Sequence, residues 1–156
     1  MLKKKNIISF LIIFFLVISC GYKKINPEQS LMHLQTVSVT GKNRISYLLK
    51  NDISLISNKN AADKYDVAIE LKKRKQDKIT NKQGKITRYT VNIDANLILK
   101  NNNNNKIINK NFSNKGDFEV ASDHSETINN EKIITKIVMQ QLTSEIINFI
   151  TLSNKN

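Results

Sequence analysis

Residues 87–99 read Thr-Arg-Tyr-Thr-Val-Asn-Ile-Asp-Ala-Asn-Leu-Ile-Leu, and this stretch decides the fold. Its alternate positions carry the set expected to be buried: Thr87, Tyr89, Val91, Ile93, Ala95, Leu97 and Leu99. The intervening positions are mostly polar. Because successive side chains of a strand point to opposite faces, this pattern predicts a long strand with one buried and one wetted face. Antiparallel sheets covered on a single side are built from such strands.

A second strand is predicted just before it. Apolar side chains occupy alternate positions from Tyr65 to Leu71, and beyond Lys72 the alternation gives way to a charged run. That run indicates a solvated continuation of the strand. Residues 81–84, Asn-Lys-Gln-Gly, are typical of a turn, so the two strands are expected to form a hairpin.

Two shorter strands are predicted at the ends of this unit. Residues 35–40 alternate polar and aliphatic side chains, and residues 106–112 form a further strand that extends toward Phe118. The run of asparagines from Asn101 to Asn105 is interpreted as a low-complexity hairpin loop rather than a site.

Two amphipathic helices are predicted from apolar spacings near the helical period. The first, about four turns from Asn43, would bury Ile45, Leu48, Leu49, Ile53 and Ile56. The second would bury Ile134, Ile137, Val138, Leu142, Ile146, Phe149 and Ile150. Asp123 and Glu126 resemble a capping box at its start.

The resulting order is β-α-β-β-β-α. The economical arrangement is an α+β two-layer sandwich, with both helices on one face of a four-stranded, mainly antiparallel sheet. Residues 36–152 are expected to form this single domain.

The amino terminus predicts export. Lys3, Lys4 and Lys5 precede an uncharged, largely apolar run that ends at Cys20 and is short for a membrane-spanning helix. Val17-Ile18-Ser19-Cys20 resembles the lipobox of bacterial lipoproteins. We therefore expect residues 1–19 to be a signal peptide and residues 20–35 to be a lipidated amino terminus and tether. The alternative is an uncleaved anchor with an incidental cysteine.

The lipobox resemblance implies that the Cys20 thiol carries diacylglycerol and that its new amine is acylated. Cys20 is the sole cysteine, so an intramolecular disulfide is impossible. Gly21, rather than an aspartate, follows it, which favours sorting to the outer membrane. The expected location is the periplasmic side of that membrane.

The charge balance favours an anionic partner. The chain has a net charge of +12, and after cleavage 22 basic residues would face 13 acidic ones. Nucleic acid is not expected outside the cytoplasm, which leaves anionic phospholipid or glycolipid head groups. The alternative is compositional, because abundant Lys, Asn and Ile are typical of an AT-rich genome.

The sequence contains no recognisable catalytic or cofactor motif. Its four glycines form no phosphate-binding loop, and His33 and His124 lack neighbours at metal-ligand spacing. We therefore expect a protein that is not an enzyme and that needs no cofactor or metal.

Four features in this order resemble LptE, the lipopolysaccharide-assembly lipoprotein family, especially its short alphaproteobacterial members. They are the Cys20-Gly21-Tyr22 start, an early strand–helix pair through Ser57, the Gly84–Val91 hairpin with Thr87-Arg88-Tyr89, and the segment from Phe118 through His124-Ser125 that opens the last helix. The asparagine-rich loop departs from the family pattern.

The resemblance implies a plug and assembly partner of the β-barrel LptD that also binds lipopolysaccharide. The residues expected to meet its phosphates are Lys82, Lys85 and Arg88. Their alternative interpretation is a solvated hairpin end in a lysine-rich protein. An accessory lipoprotein of another envelope transport or secretion machine is the second functional hypothesis, and an envelope enzyme is the third.

Overall fold

The computed structural model describes residues 32–41 and 43–153. Six elements follow one another along the chain. They are β1 (Met32–Thr40), α1 (Asn43–Ser54), β2 (Asp63–Thr80), β3 (Ile86–Asn101), β4 (Ile107–Glu119) and α2 (His124–Ser153). The predicted order β-α-β-β-β-α is confirmed.

The four strands form one sheet in the order β1-β2-β3-β4. β1 and β2 are parallel and are joined through α1, whereas β2–β3 and β3–β4 are antiparallel hairpin pairs. The predicted α+β fold with a mainly antiparallel sheet is therefore confirmed. The parallel pair follows from the helix between its strands, because parallel strands need a crossover connection.

The core lies between the sheet and the two helices. The helix-facing side chains of β2 and β3 include the predicted alternate positions: Tyr65, Val67, Ile69, Leu71, Val91, Ile93, Ala95, Leu97 and Leu99 are buried. Thr87, at the far end of the predicted stretch, is exposed. The alternation therefore predicted the buried face correctly as far as the helices extend over it.

α1 is shorter than the predicted four turns, and one member of its predicted stripe is wrong. Leu49 and Ile53 are fully buried, and Ile56 follows them into the core. Leu48 instead is 54% exposed, and Ser46 is buried in its place. The helix is rotated so that its covered side is centred on Leu49 and Ile53 rather than on the Leu48–Leu49 pair.

α2 begins where the sequence indicated. The Asp123 carboxylate accepts hydrogen bonds from the backbone N–H of Ser125 at 3.0 Å and from its hydroxyl at 2.6 Å. The hydroxyl bond is the largest cause of a lowered Asp123 pKa. In the helix, Ile137 is 43% exposed, contrary to prediction, while Met139 and Thr143 are buried.

The close approach of α2 to β4 depends on Gly116. A Cβ atom at this position would lie 2.7 Å from a methyl of Ile134 and 2.8 Å from a methyl of Val138. The missing side chain therefore lets the helix pack directly on the strand.

The asparagine loop has a structural role that the sequence did not reveal. Asn101 donates to the Tyr65 hydroxyl at 3.1 Å, and Asn103 donates to the backbone carbonyl of Ala62 at 3.2 Å. These amides hold the β3–β4 turn against the start of β2. β1 begins at Met32, so Met32–Gln35 belong to the sheet rather than to the predicted tether.

Within residues 32–41 and 43–153, neither helix is long and apolar enough to cross a membrane.

Candidate interaction surface

The sheet has one face that no described helix covers, which we call the open face. Its β3 and β4 members are the alternate residues Arg88, Thr90, Asn92, Asp94, Asn96, Ile98, Lys100, Ile107, Asn109, Asn111, Ser113, Lys115, Asp117 and Glu119. Directly paired residues of neighbouring strands share a face, so these side chains form one surface with those of β2. Most of them are polar.

Hydrogen bonds cross the open face near the β1 edge. The Asp66 carboxylate accepts from the Thr36 hydroxyl at 2.6 Å and from the Asn102 amide at 2.9 Å. The Thr36 bond is the largest cause of the lowered pKa of Asp66, and the Asn102 bond is next. Asn102 also donates to the Gln35 amide oxygen at 2.7 Å. This cluster links β1, β2 and the asparagine loop.

A second cluster lies at the middle of the face. Asp94 accepts from Arg74 of β2 at 2.7 Å and from Ser113 of β4 at 2.7 Å. The Asn92 amide donates to the Gln76 oxygen at 2.9 Å. Asp94 thus ties together three strands through side chains alone.

The third cluster is at the far end. Asp117 accepts from Lys78 and, at 2.7 Å, from the Thr90 hydroxyl. The bond from Lys78 is the largest cause of the lowered Asp117 pKa. Since the acids of all three clusters have partners within the sheet, the open face is polar without a bare acidic patch.

Beyond these clusters, residues 72–88 form the basic hairpin, with eight basic residues and one acidic residue. Its turn is organised by the Asn81 side-chain oxygen, which accepts from the backbone of Gln83 at 3.1 Å and of Lys85 at 2.8 Å. Gly84 takes the left-handed conformation at φ +76°, which glycine adopts without strain. The predicted turn and the solvated strand continuation are both confirmed.

The structure separates the three cations proposed from the sequence into two groups. Lys82 and Lys85 lie exposed in the turn, with no acidic partner among the described residues. Arg88 lies on β3 and forms an ion pair with Glu119 of β4. The turn lysines are therefore the more available charges.

A further cation cluster on the helix-covered side escaped sequence reasoning. Glu131 of α2 forms ion pairs with Lys73 at 2.7 Å and Lys75 at 3.2 Å. Burial raises the pKa of Glu131, but the hydrogen bonds from the two lysines outweigh it and leave the pKa lowered. Lys75 also lies 4.9 Å from the ring centre of Tyr89. The sequence does contain a signal for this placement, because residues 73 and 75 continue the alternate positions of β2 that are buried.

Lys75, Tyr89 and Glu131 line a pocket of about 270 Å³ together with the start of α2. The two lysines are already paired with Glu131 there, so the pocket offers little unpaired charge to a ligand.

The predicted signal peptide, the lipidated Cys20 and the tether up to residue 31 lie outside the described residues. They remain predictions.

No protein-family model and no curated protein matches this chain. Solved structures do match. A candidate lipoprotein of Caulobacter crescentus is 15% identical, with a TM-score of 0.55, over 81% of this chain and 93% of its own.

Two further matches are proteins described as lipoprotein B. Rare lipoprotein B of Shewanella oneidensis is 10% identical with a TM-score of 0.62, over 78% of this chain and 97% of its own. Lipoprotein B of Nitrosomonas europaea is 11% identical with a TM-score of 0.59, over 81% of this chain and 89% of its own. The chain shares their fold. At these identities the likeness concerns the fold alone.

Proposed function

We propose that this chain is an outer-membrane lipoprotein, anchored through Cys20 on the periplasmic side, that acts as an LptE-like plug and assembly partner of the LptD barrel. In this role it would also bind lipopolysaccharide on its way to the outer leaflet. We propose that the protein binds the barrel and lipopolysaccharide and that it is not an enzyme.

Two lines of reasoning support the lipoprotein assignment. The lipobox-like Val17-Ile18-Ser19-Cys20 lies directly after a basic, then apolar, leader. The domain that follows has a fold shared with three chains described as lipoproteins, one of them rare lipoprotein B. The sequence motif and the fold are independent indications.

The open face is the observation that carries the barrel partnership. The lumen of an outer-membrane barrel is lined by polar side chains and water. A plug needs a broad polar surface whose own charges are already matched, because an unpaired charge costs free energy when it loses water. The clusters around Asp66, Asp94 and Asp117 match these acids of the open face within the sheet, and Lys100 and Lys115 are left as its β3 and β4 cations without an ion pair among the described residues.

The experiment is purification of the tagged, full-length chain in mild detergent, with identification of bound proteins by mass spectrometry. We expect a large outer-membrane β-barrel to co-purify in near-equal amount. A Cys20→Ala variant is the matched control and should lose both its acyl groups and most of the barrel. Acylated protein that purifies without any barrel would contradict the partnership. A component of another transport or secretion machine in its place would support the alternative lipoprotein role.

We propose that Lys82 and Lys85 are the main residues that bind lipopolysaccharide. Arg88 lies near them but is already paired with Glu119. Lysine binds phosphate as a point charge, so removing both turn lysines is expected to weaken binding about tenfold. Replacing the exposed Lys59 and Lys132 by Ala removes the same charge elsewhere and is the matched control. Equal losses in the two double variants would mean that only net charge matters and would contradict a site at the turn.

A further inference from the structure

α1 has a second apolar stripe, on the side away from the core. Tyr47, Leu48 and Leu55 are 64%, 54% and 67% exposed. The backbone N–H of Leu55 bonds to the carbonyl of Asn51 at 3.1 Å, so the helical turn continues through Leu55. Residues seven apart lie on the same side of a helix, which places Leu48 and Leu55 in line with Tyr47 beside them. We call these three residues the outer stripe.

The outer stripe differs from the exposed isoleucines of α2, and Leu152, near the end of α2, is a single residue at 59% exposure. Ile128, Ile133 and Ile137 of α2 are 40–49% exposed, as expected for side chains at the margins of a buried stripe. The outer stripe instead lies opposite the fully buried Leu49 and Ile53 of its own helix. Packing within the domain therefore does not account for it.

The outer stripe lies at the end of the domain where the chain enters from the predicted anchor. The backbone N–H of Asn58, just after α1, donates to the Met32 carbonyl at 2.9 Å, and Leu34 N–H donates to the Ser57 hydroxyl at 2.9 Å. Met32 comes twelve positions after Cys20, which limits the distance between them to about 40 Å. The basic hairpin is at the other end, since Ile79 lies about 50 Å along β2 from Asp63, the partner of Met32.

The chemistry of the stripe matches a lipid surface. Leucines and a tyrosine are suited to the boundary between acyl chains and head groups, where Arg and Lys meet the phosphates. Arg44 lies one helical turn before Leu48, Lys50 lies three residues after Tyr47, and Asp52, the single acidic residue of the helix, lies one turn after Leu48. Because the predicted anchor holds this end at the membrane, even weak contacts there would be populated.

We propose that the outer stripe of α1 rests on the interface of the bilayer that holds the lipid anchor, with Arg44 and Lys50 facing anionic head groups. This inference rests on the proposed lipidation of Cys20. It orients the domain with α1 on the membrane and the basic hairpin directed away from the anchor.

The chain contains no tryptophan, so a single introduced tryptophan reports on one position. The lipidated, full-length Tyr47→Trp variant is reconstituted in vesicles of phosphatidylethanolamine and phosphatidylglycerol whose acyl chains are brominated. We expect blue-shifted emission and about twofold quenching relative to unbrominated vesicles. Ile79→Trp, in the basic hairpin and 44% exposed, is the matched control and should be unquenched.

A second pair of variants tests the stripe itself. Adding Leu48→Asn and Leu55→Asn to Tyr47→Trp should abolish the quenching. Adding Ile128→Asn, which changes a 40% exposed isoleucine of α2 at the end that carries the basic hairpin, should leave it intact. Quenching that survives the two stripe substitutions would overturn the proposal.

Flotation separates this inference from the proposed function. Tyr47→Trp protein that floats with the vesicles but shows no quenching of its emission overturns the bilayer contact and leaves the lipoprotein assignment standing. Protein that does not float, and carries no acyl groups by mass, overturns the anchor and the contact together. A blue shift without bromine quenching would mean that protein, such as a second copy of this chain, covers the stripe, and it overturns the proposal.

Discussion

The two faces of the sheet belong to the same paired strands but carry different side-chain interactions. On the covered face, Leu97 and its neighbours are fully buried under the helices, and burial of apolar area supplies the free energy. On the open face, Asp66, Asp94 and Asp117 organise hydrogen bonds and ion pairs among exposed side chains. Such exposed pairs contribute little to stability. The covered face therefore stabilises the fold, and substitutions on the open face can adapt it to a partner at little cost in stability.

The largest effect is expected from adjacent positions on β3. Leu97→Ala leaves a cavity in the core and should lower the free energy of unfolding by about 2–5 kcal/mol. Ile98→Ala removes a similar side chain that is 42% exposed on the open face, and it should cost less than about 1 kcal/mol. Urea denaturation measures both. Similar losses at the two positions would break the distinction between the faces.

A smaller effect is expected where the covered face touches α2 most closely. Gly116→Ala places a Cβ against methyl groups of Ile134 and Val138, and it should cost about 1–3 kcal/mol. Adding Val138→Ala removes one of the two methyl groups that this Cβ would meet, so the double variant should lose less than the sum of the two single losses. Thermal or urea denaturation of the four proteins completes the cycle. Strict additivity would mean that the close contact is not the cause.

Two neighbouring lysines of β2 compare ion pairs on the two faces of the sheet. Lys73 is on the covered side and its pair with Glu131 is largely shielded, so Lys73→Ala should cost about 1–2 kcal/mol. Lys72 is on the open face with a 67% exposed side chain paired to Glu70, so Lys72→Ala should cost less than about 0.5 kcal/mol. If the two variants unfold at the same urea concentration, the faces do not differ for charged pairs.

The smallest effect is a dependence on pH that comes from the open face. The pKa values of Asp66 and Asp117 are lowered in the folded chain. Their contribution to stability is therefore complete above the ordinary aspartate pKa of about 4 and is lost as the pH falls through the lowered values. Unfolding free energies from pH 7 to pH 2.5 should be level at first and then fall.

Asp66→Asn should reduce the loss of unfolding free energy that occurs as the pH falls. Asp77→Asn is the matched control, because the Asp77 carboxylate has no partner among the described residues. If both variants keep the full slope, the open-face clusters do not contribute to the acid dependence.

Much of the fold could be predicted from the alternation of apolar and polar residues in the strands. Alternation from Tyr65 to Leu71 and from Tyr89 to Leu99 predicted the covered face, because the period of a strand leaves no choice of side. The margins of a helix stripe are less determined, since they depend on what the helix packs against. The spacing therefore predicts Leu48 and Ile137 to be buried, and this prediction is wrong for both.

The candidate site was harder to predict than the fold. Partners that are distant in sequence, such as Asp66 with Thr36, Lys73 with Glu131 and Arg88 with Glu119, become visible only when strand register and helix position are known. The sequence predicts the loop at the asparagine run, but not the bonds that this loop makes to Tyr65 and Ala62, because such bonds have no local signature. Lys82 and Lys85 were placed correctly in the turn because a turn is a local property.

Photo-crosslinking in living cells tests most directly whether the open face contacts a β-barrel. A photoreactive residue replaces Asn96, which is exposed at the centre of that face, in the full-length chain. We expect a crosslinked adduct that contains a large outer-membrane β-barrel protein and that disappears in the Cys20→Ala background. A chain that is acylated and located in the outer membrane, yet gives no barrel adduct from Asn96 or from Asn92, would contradict this expectation.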